Sequence, residues 1–311
     1  MARKRKGLPV DGWIAVDKPE GVTSTQVVAM VRRQTNAAKA GHGGTLDPLA
    51  SGILPIALGE ATKTVSYVMD GEKTYRFRVR WGESRTSDDR EGDISETHPH
   101  RPDRQAILDV LPRFLGTIQQ IPPIFSALKV DGERAYDLAR AGEHVELAAR
   151  PVQIHSLDLD DMPDADHADF VVRCGKGTYV RSLARDLALA VGTVGHVALL
   201  RRTACGPFVE SAAIPLDNLG LLSDGPGLQT YLLPIKTALD DIPALALTEA
   251  EVRRLRLGQP VPVTELADQE RASRLSDGET VRAMQGDQVA ALARIDGAEL
   301  RPVRVFNLQP L

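Results

Sequence analysis

The chain has 311 residues, of which 42% are hydrophobic and 26% charged, a composition typical of folded globular proteins that excludes wholesale disorder. At roughly 150 residues per domain, this length favours two domains. The formal charge of −4 argues, taken alone, against a nucleic-acid partner, since domains that bind nucleic acids are usually basic. An aromatic content of 4% disfavours a surface built from repeated base-stacking platforms.

The cysteine count and the N-terminal sequence favour a cytoplasmic protein. Two cysteines, Cys174 and Cys205, are too few for a disulfide framework or a four-cysteine zinc site. The basic residues at the N-terminus are not followed by the apolar core of a secretion signal. No apolar run approaches the roughly 18 residues of a membrane span. We therefore expect a cytoplasmic protein without a membrane anchor.

The first part of the chain predicts regular elements around one irregular stretch. Residues 12–16 indicate a short strand, and Thr23 with Gln26 has the spacing of a capping box at the start of a helix. Residues 41–52 contain too many glycines and prolines for a regular element. Residues 73–81 alternate apolar and polar side chains and give the clearest strand, whose polar face carries three arginines.

The middle of the chain predicts an insertion followed by strands and a helix. Residues 119–151 mix proline, glycine and charge, which indicates an excursion from the core. Residues 152–159 and 169–174 are typical of strands. The apolar spacing from Thr178 to Val191 predicts a helix, and Gly192 is a natural stop after it.

The C-terminal part has a pattern of its own. Glycine, proline, serine and leucine accumulate over residues 217–240, which places a domain boundary at about residue 240. The following segment predicts a helix capped by Thr248 and three strands separated by tight turns. The sequence thus predicts one domain over residues 1–240 and a small β-rich domain over residues 241–311.

The charge is unevenly distributed. Residues 1–80 carry 13 basic and 7 acidic residues, and residues 171–202 carry 6 basic residues against 1 acidic residue. Two basic segments in an acidic chain are consistent with one phosphate-binding face. From charge alone, two separate solvated faces without a partner are the favoured alternative.

Asp47 is the unusual residue of the irregular stretch, because it lies between Leu46 and Pro48 among small and apolar residues. An aspartate in such a loop is either a turn former whose side chain binds its own backbone or a functional carboxylate. The local pattern alone favours the turn former. The chain has no Walker-type phosphate loop, no histidine spacing typical of a metal site and no nucleophile elbow.

Several ordered segments resemble the motifs of the TruB family, the tRNA pseudouridine-55 synthases. Residues 41–55 strongly resemble the active-site motif of that family. The other matching segments, in chain order, are residues 17–21, 59–63, 126–136, 175–183 and 200–203. Their order and spacing hold from about residue 10 to residue 215, which is far more specific than any single motif.

The resemblance implies an α/β (α+β) pseudouridine-synthase fold with a mixed, largely antiparallel central sheet, followed by a PUA-like RNA-binding domain over residues 241–311. It implies that residues 119–151 act as a mobile flap over the RNA. The implied reaction is the isomerisation of uridine 55 in the T stem-loop of tRNA, without a cofactor or a metal. We expect the enzyme to be a monomer.

The resemblance also implies three catalytic residues. Asp47 corresponds to the nucleophile of the family, which forms a covalent intermediate or stabilises the cleaved sugar. Tyr75 corresponds to the tyrosine that stacks on the target base, although its strand position alone favours a core residue. Arg181 corresponds to the arginine that pairs with the nucleophile, and the alternative for it is an ordinary surface arginine.

Besides Tyr75, five residues are implied to bind the substrate. Tyr179 and Leu200 correspond to residues that line the pocket for the flipped base. His42 corresponds to the histidine that fills the gap left by the extruded nucleotide. Lys18 and Lys63 are expected to contact the active site or the RNA backbone, with exposed lysines as the alternative. Residues 86–93 are more acidic than expected, and no role is assigned to them.

Two other functions stay open at this point. The first is a guide-RNA-dependent relative that modifies ribosomal RNA, which would need an added guide and partner proteins. The second is an RNA-binding protein or folding chaperone with vestigial chemistry. The presence of Asp47, Tyr75 and Arg181 together argues against a purely vestigial site.

Overall fold

The computed structural model describes residues 7–125 and 147–308, together with the backbone of two short strands between these ranges. Most of the predicted insertion therefore lies outside the described residues, as does the motif at residues 126–136. In the described ranges, no helix is both long and apolar enough to cross a membrane.

The strands up to residue 215 build a large sheet and two small ones. They are β1 (Gly12–Lys18), β2 (Ala40–His42), β3 (Ser51–Leu58), β4 (Lys73–Trp81), β5 (Glu83–Arg85), β6 (Ile94–Thr97), β7 (Gly116–Gln120), β8 (Lys129–Val130), β9 (Glu133–Arg134), β10 (Arg150–Asp164), β11 (His167–Cys174), β12 (Gly195–Cys205), β13 (Phe208–Val209) and β14 (Ile214–Pro215). The large sheet has the order β14-β1-β3-β12-β4-β11-β10-β7, with β2 beside β3 and β13 beside β12. β1 with β14 and β3 with β12 are parallel, and the other pairings are antiparallel, which confirms the mixed, largely antiparallel sheet.

The helices that begin near Thr23, Thr178 and Thr248 lie close to the predicted positions, whereas the short helices at residues 65–70, 225–231 and 269–272 were not predicted. The described residues contain seven α-helices. They are α1 (Ser24–Thr35), α2 (Val65–Asp70), α3 (Arg104–Val110), α4 (Val180–Ala190), α5 (Gly225–Tyr231), α6 (Glu249–Arg256) and α7 (Gln269–Ala272). The capping boxes at Thr23 and Thr248 are both formed, so the hydroxyl of each cap satisfies a free amide of the first turn. Gly192, after α4, has a φ of 77°, a conformation that glycine adopts without strain.

The C-terminal part forms a separate five-stranded sheet. Its strands are β15 (Ala244–Ala246), β16 (Val261–Pro262), β17 (Thr280–Gln285), β18 (Gln288–Asp296) and β19 (Glu299–Val305), in the order β15-β17-β18-β19-β16. This confirms the β-rich C-terminal part. The two sheets share an apolar cluster in which Trp13 of β1 lies with Leu292 of β18 and with Phe306.

Two neighbouring inner strands of the large sheet, β3 and β12, were not predicted. The expectation that residues 41–52 contain no regular element is wrong at both ends, where β2 ends and β3 begins. Gly52 has a φ of 102°, and a Cβ atom there would lie only 2.1 Å from the carbonyl oxygen of Arg202 on β12. The glycine thus permits a close approach of two strands, where the sequence pattern indicates only a loop.

The alternation along β4 separates two faces of the large sheet. Phe77, Val79 and Trp81 on the inner face belong to the main core, together with side chains of α1 and α4. The outer face carries Arg76 and Arg78, and neither is fully buried. Tyr75 also lies on the inner face, nearer the start of the strand and packed at the border of that core.

Candidate active site

A cavity of about 770 Å³ opens where the Asp47 loop meets the start of α4, a volume in the usual range for small-molecule sites. Five of the eight residues singled out from the sequence line it: Asp47, Tyr75, Tyr179, Arg181 and Leu200. They come from four separate parts of the chain, which the sheet and α4 bring together. The structure therefore places these five residues in one site.

Asp47 and Arg181 form an ion pair in the wall of this cavity. Nη2 of Arg181 lies 3.0 Å from Oδ2 of Asp47. The arginine side chain is 6% exposed, whereas the aspartate side chain is 38% exposed and accessible from the cavity. The surface-arginine interpretation of Arg181 is therefore wrong. A charge-assisted contact of this kind orients the carboxylate and stabilises its negative charge.

Arg181 also joins Asp47 to a second carboxylate that the sequence analysis left without a role. Nη1 of Arg181 lies 3.4 Å from Oδ2 of Asp89, which is buried. The same guanidinium donates to the carbonyl oxygens of Ser87 and Phe125 at 3.1 and 2.9 Å. The sequence offered two weak signals, the acidic character of residues 86–93 and a loose fit of Asp89 to a further segment of the resembled family. Sequence spacing does not reveal a contact between residues 92 positions apart.

Tyr75 reaches the cavity from the inner face of β4, so its core and pocket interpretations hold together. Burial raises the pKa of Tyr75 to about 12, so the phenol keeps its proton at neutral pH. Arg202 lies directly opposite Tyr75 on β12, and its positive charge opposes this rise of the pKa. Arg202 also lines the cavity, a position that the sequence did not predict.

The start of α4 is fixed by Gln120, a buried residue at the end of β7 that was also missed. Its side-chain amide donates to the Tyr179 carbonyl at 3.1 Å and accepts from the Tyr179 amide at 2.8 Å. The hydroxyl of Ser182 and the guanidinium of Arg185 donate to the carbonyl of Ile121 at 2.8 and 2.9 Å. These contacts attach the root of the insertion to the helix that carries Arg181.

Lys18 does not line the cavity but supports the loop beside it. Its ammonium is completely buried and donates to the carbonyls of Pro19, Val22 and Pro48 at 2.9, 2.9 and 3.4 Å. Burial lowers the pKa of Lys18 to about 8. The Pro48 contact ties β1 to the residue after Asp47, so the structure gives Lys18 a buried bracing position and excludes the exposed-lysine alternative.

Lys63 and His42 also lie outside the cavity lining. Nζ of Lys63 is 2.6 Å from Oε2 of Glu60 and donates to the carbonyl of Val305 on β19 at 2.8 Å, so it joins the segment after β3 to the C-terminal sheet. His42 ends β2, and its Nδ1 is buried without a hydrogen-bond partner in the described structure. Burial lowers the pKa of His42, which favours a neutral ring at neutral pH. The substrate roles of both residues stay predictions.

The basic segment 171–202 does not present six free cations. Its charged side chains pair with acidic residues or are buried: Arg173 with Glu72, Lys176 with Asp70, Arg181 with Asp47 and Asp89, Arg185 with Asp88 and Asp186, Arg201 with Asp17 and Glu210, and Arg202 buried. A count of charges along the chain therefore overestimates the positive surface that this segment offers to a phosphate backbone.

Solved structures share this architecture over nearly the whole chain. A structure of an H/ACA RNP bound to a substrate RNA containing 2'-deoxyuridine matches with a TM-score of 0.73 and 24% identity, covering 100% of this chain and 92% of that chain. A Cbf5-Nop10-Gar1 complex matches with a TM-score of 0.72 and 25% identity, over 99% of this chain and 90% of that chain. The fold is that of the pseudouridine synthases.

Sequence relatives define the family within this class. The profile of the TruB family pseudouridylate synthase N-terminal domain matches residues 32–180, and that of the tRNA pseudouridylate synthase B C-terminal domain matches residues 181–240. The tRNA pseudouridine synthase B of Rhodospirillum rubrum is 56% identical over 308 residues, covering 99% of this chain and 100% of the relative. That of Caulobacter vibrioides is 53% identical over 309 residues, with the same coverage. The chain belongs to the TruB family of pseudouridylate synthases.

Proposed function

We propose that this chain converts uridine 55 in the T stem-loop of tRNA to pseudouridine, with Asp47 as the nucleophile. Family membership makes the chain a pseudouridine synthase, and relatives that it matches over their whole length are tRNA pseudouridine synthases. The observation that carries the proposal is the Asp47–Arg181 ion pair in the wall of a cavity that also exposes Tyr75.

The proposed reaction is an isomerisation and balances without a second substrate. The C1′–N1 bond of the uridine breaks, the base turns, and a C1′–C5 bond forms. One proton leaves C5, and N1 gains one. A carboxylate placed as Asp47 is can attack the nucleotide to give a covalent intermediate, which divides one difficult step into two easier steps.

The residues around Asp47 have separate tasks in this proposal. Arg181 orients the carboxylate and stabilises its charge before the reaction. Tyr75 stacks on the uracil ring, and its phenol, which stays protonated at neutral pH, can donate a hydrogen bond. Tyr179 and Leu200 enclose the base from the other sides. A uridine in folded RNA must be flipped out of its stack first, and the neutral ring of His42 takes its place there.

The rest of the chain is proposed to hold the tRNA. We assign residues 1–240 to the catalytic domain, residues 119–151 to a flap over the RNA and residues 241–311 to a PUA-like RNA-binding domain. Because the expected substrate contacts come from one chain, the proposed active form is a monomer. As the cysteine count favours, we place this monomer in the cytoplasm.

The decisive experiment maps pseudouridine at nucleotide resolution in tRNA treated with the pure protein. We expect pseudouridine at position 55 with the unmodified chain and none with Asp47→Asn, whereas tRNA binding is retained, because only one oxygen of the carboxylate is replaced. Asp109→Asn, which changes an exposed carboxylate of α3 outside the cavity, is the matched control and should keep full activity. Substantial product from Asp47→Asn would contradict the proposal.

A second experiment separates this function from the guide-dependent alternative. The pure chain alone is expected to modify a bare T-arm hairpin, and a hairpin with cytidine at position 55 should stay unmodified. Activity that requires an added guide RNA and partner proteins would instead favour the guide-dependent relative. RNA refolding measured with Asp47→Asn tests the chaperone alternative independently of catalysis.

A further inference from the structure

Arg202 is a buried cation whose contacts are neutral. Its side chain is among the largest that are fully buried, and it lines the active-site cavity. In the described part of the chain, no carboxylate lies within ion-pair distance of it. Because an unpaired buried charge is costly, its position calls for hydrogen bonds that use the guanidinium fully.

Three of those hydrogen bonds hold the chain on either side of the catalytic loop. Nε of Arg202 donates to the Ile53 carbonyl at 2.8 Å, Nη2 to the Gly44 carbonyl at 3.0 Å and Nη1 to the Thr45 carbonyl at 3.3 Å. Gly44 and Thr45 precede Asp47, and Ile53 lies in β3 after the loop. One planar group therefore clamps both ends of the loop that carries the nucleophile.

Arg202 is also a neighbour of Tyr75. The two residues are directly opposite each other in the β4–β12 pairing, so their side chains share the inner face. Both side chains line the active-site cavity. The residue that holds the catalytic loop therefore also packs beside Tyr75.

Resting on the proposed function, we propose that Arg202 is a positioning residue that fixes the Asp47 loop and the Tyr75 side chain relative to each other. It acts through these two groups. The role requires the planar fork of arginine, because its separate nitrogens reach carbonyls on both sides of the loop, whereas lysine offers a single ammonium.

The adjacent residue provides a matched control. Arg201 lies on the outer face of the same strand and binds both carboxylate oxygens of Asp17 at 2.9 and 2.8 Å. It also pairs with Glu210 at 2.6 Å. Arg201→Lys therefore makes the same chemical change one residue away, without altering a group that contacts the catalytic loop or Tyr75.

The first measurement is single-turnover formation of pseudouridine, together with the Kd for tRNA. For Arg202→Lys we expect the rate at saturating enzyme to fall by about 30- to 100-fold, because small displacements of reacting groups cost this much, while the Kd changes by less than about threefold. Arg201→Lys should retain both values within about threefold. A normal rate in Arg202→Lys, or a loss confined to tRNA affinity, would overturn the proposal.

The second measurement observes Tyr75 directly, by NMR of protein carrying tyrosine labelled at Cζ. The Tyr75 signal is identified by its absence from Tyr75→Phe. We expect it to move in Arg202→Lys and to stay in place in Arg201→Lys, whereas an unmoved signal in Arg202→Lys would contradict the link between the two residues. If Arg202→Lys does not fold, the same two measurements are made on Arg202→Gln. The NMR signals of the Arg202 guanidinium, compared between the original chain and Tyr75→Phe, then test the link from the other partner.

These results are distinguishable from a failure of the proposed function. An Asp47→Asn variant that still forms pseudouridine, or a chain inactive on uridine 55, would remove the proposed function itself. The enzyme could instead be active and dependent on Asp47, while neither its rate nor its Tyr75 signal changes in Arg202→Lys. That result would contradict only the positioning role.

Discussion

On the outer face of the large sheet, Arg78 of β4 binds Asp169 of β11 through two hydrogen bonds of 2.6 and 2.7 Å, and both side chains keep about a quarter to a third of their surface exposed. On the inner face, Arg202 is 1% exposed and binds backbone carbonyls. Arg181, at the start of α4, is similarly buried but bridges two carboxylates.

This difference shows that burial decides what a cation does in this fold. An exposed ion pair contributes little free energy, because water screens it and two flexible side chains lose freedom. A buried guanidinium that loses a hydrogen-bond partner cannot replace it with water, and this loss costs free energy. The groups that bind the guanidinium are therefore held in the positions that its geometry requires. The cavity is therefore organised by its buried cations, whereas the outer arginines leave it unaffected.

The largest effect is expected for Arg181→Lys. The guanidinium spans Asp47 and Asp89, and an ammonium cannot keep both contacts together with the carbonyl of Phe125. We expect the single-turnover rate to fall by about 10²- to 10³-fold, the usual cost of removing one preorganised electrostatic contact. Arg173→Lys, at an exposed ion pair, is the control and should be nearly silent. A rate within about threefold of the original would remove the distinction between buried and exposed arginines.

A smaller effect, on stability and with a defined pH dependence, is expected for Lys18. Its pKa is about 8 in the folded chain and 10.5 as a free side chain. Between these values the folded state has lost the proton that the unfolded state still binds, so folding becomes more favourable as the pH rises. Below about pH 8 both states hold the proton, and the cost of the buried charge is present in full.

The test compares urea unfolding of the original chain with that of Lys18→Met. The free energy of unfolding of the original chain, relative to Lys18→Met, should rise by up to about 3 kcal/mol from about pH 8 to pH 10.5. The same comparison with Lys176→Met, whose side chain is 67% exposed, should show no such rise. If the difference in free energy of unfolding between the original chain and Lys18→Met stayed constant over this pH range, burial would not lower the pKa of the Lys18 ammonium.

Much of this arrangement could be predicted from residue patterns, and the reason for each success is local. The alternation over residues 73–81 matches β4 at both ends, and the apolar spacing predicted α4 within two residues. The motif resemblance selected Asp47 and Arg181, which the structure places in contact. Neighbouring residues contained the necessary information for β4 and α4, whereas the assignment of Asp47 and Arg181 required the ordered motifs of the resemblance.

The features that were missed depend on contacts between distant parts of the chain. β12 has register shifts at two places and carries arginines on both faces, so it lacks a clear alternation. Gly52 is required by the approach of β12, which no local pattern reveals. Asp89, Gln120 and Arg202 acquire their positions through partners that lie far away in sequence.

The smallest effect is expected for Asp169→Asn, which tests the outer side of the comparison. The change removes the negative charge beside Arg78 but keeps a polar side chain of the same size. Because the pair is partly exposed, we expect the free energy of unfolding to fall by less than about 1 kcal/mol, with a difference that shrinks as salt is added. Pseudouridine formation should be unchanged, since the pair lies on the opposite face from Tyr75. A loss of several kcal/mol, or of activity, would place the outer arginines in the same class as the buried ones.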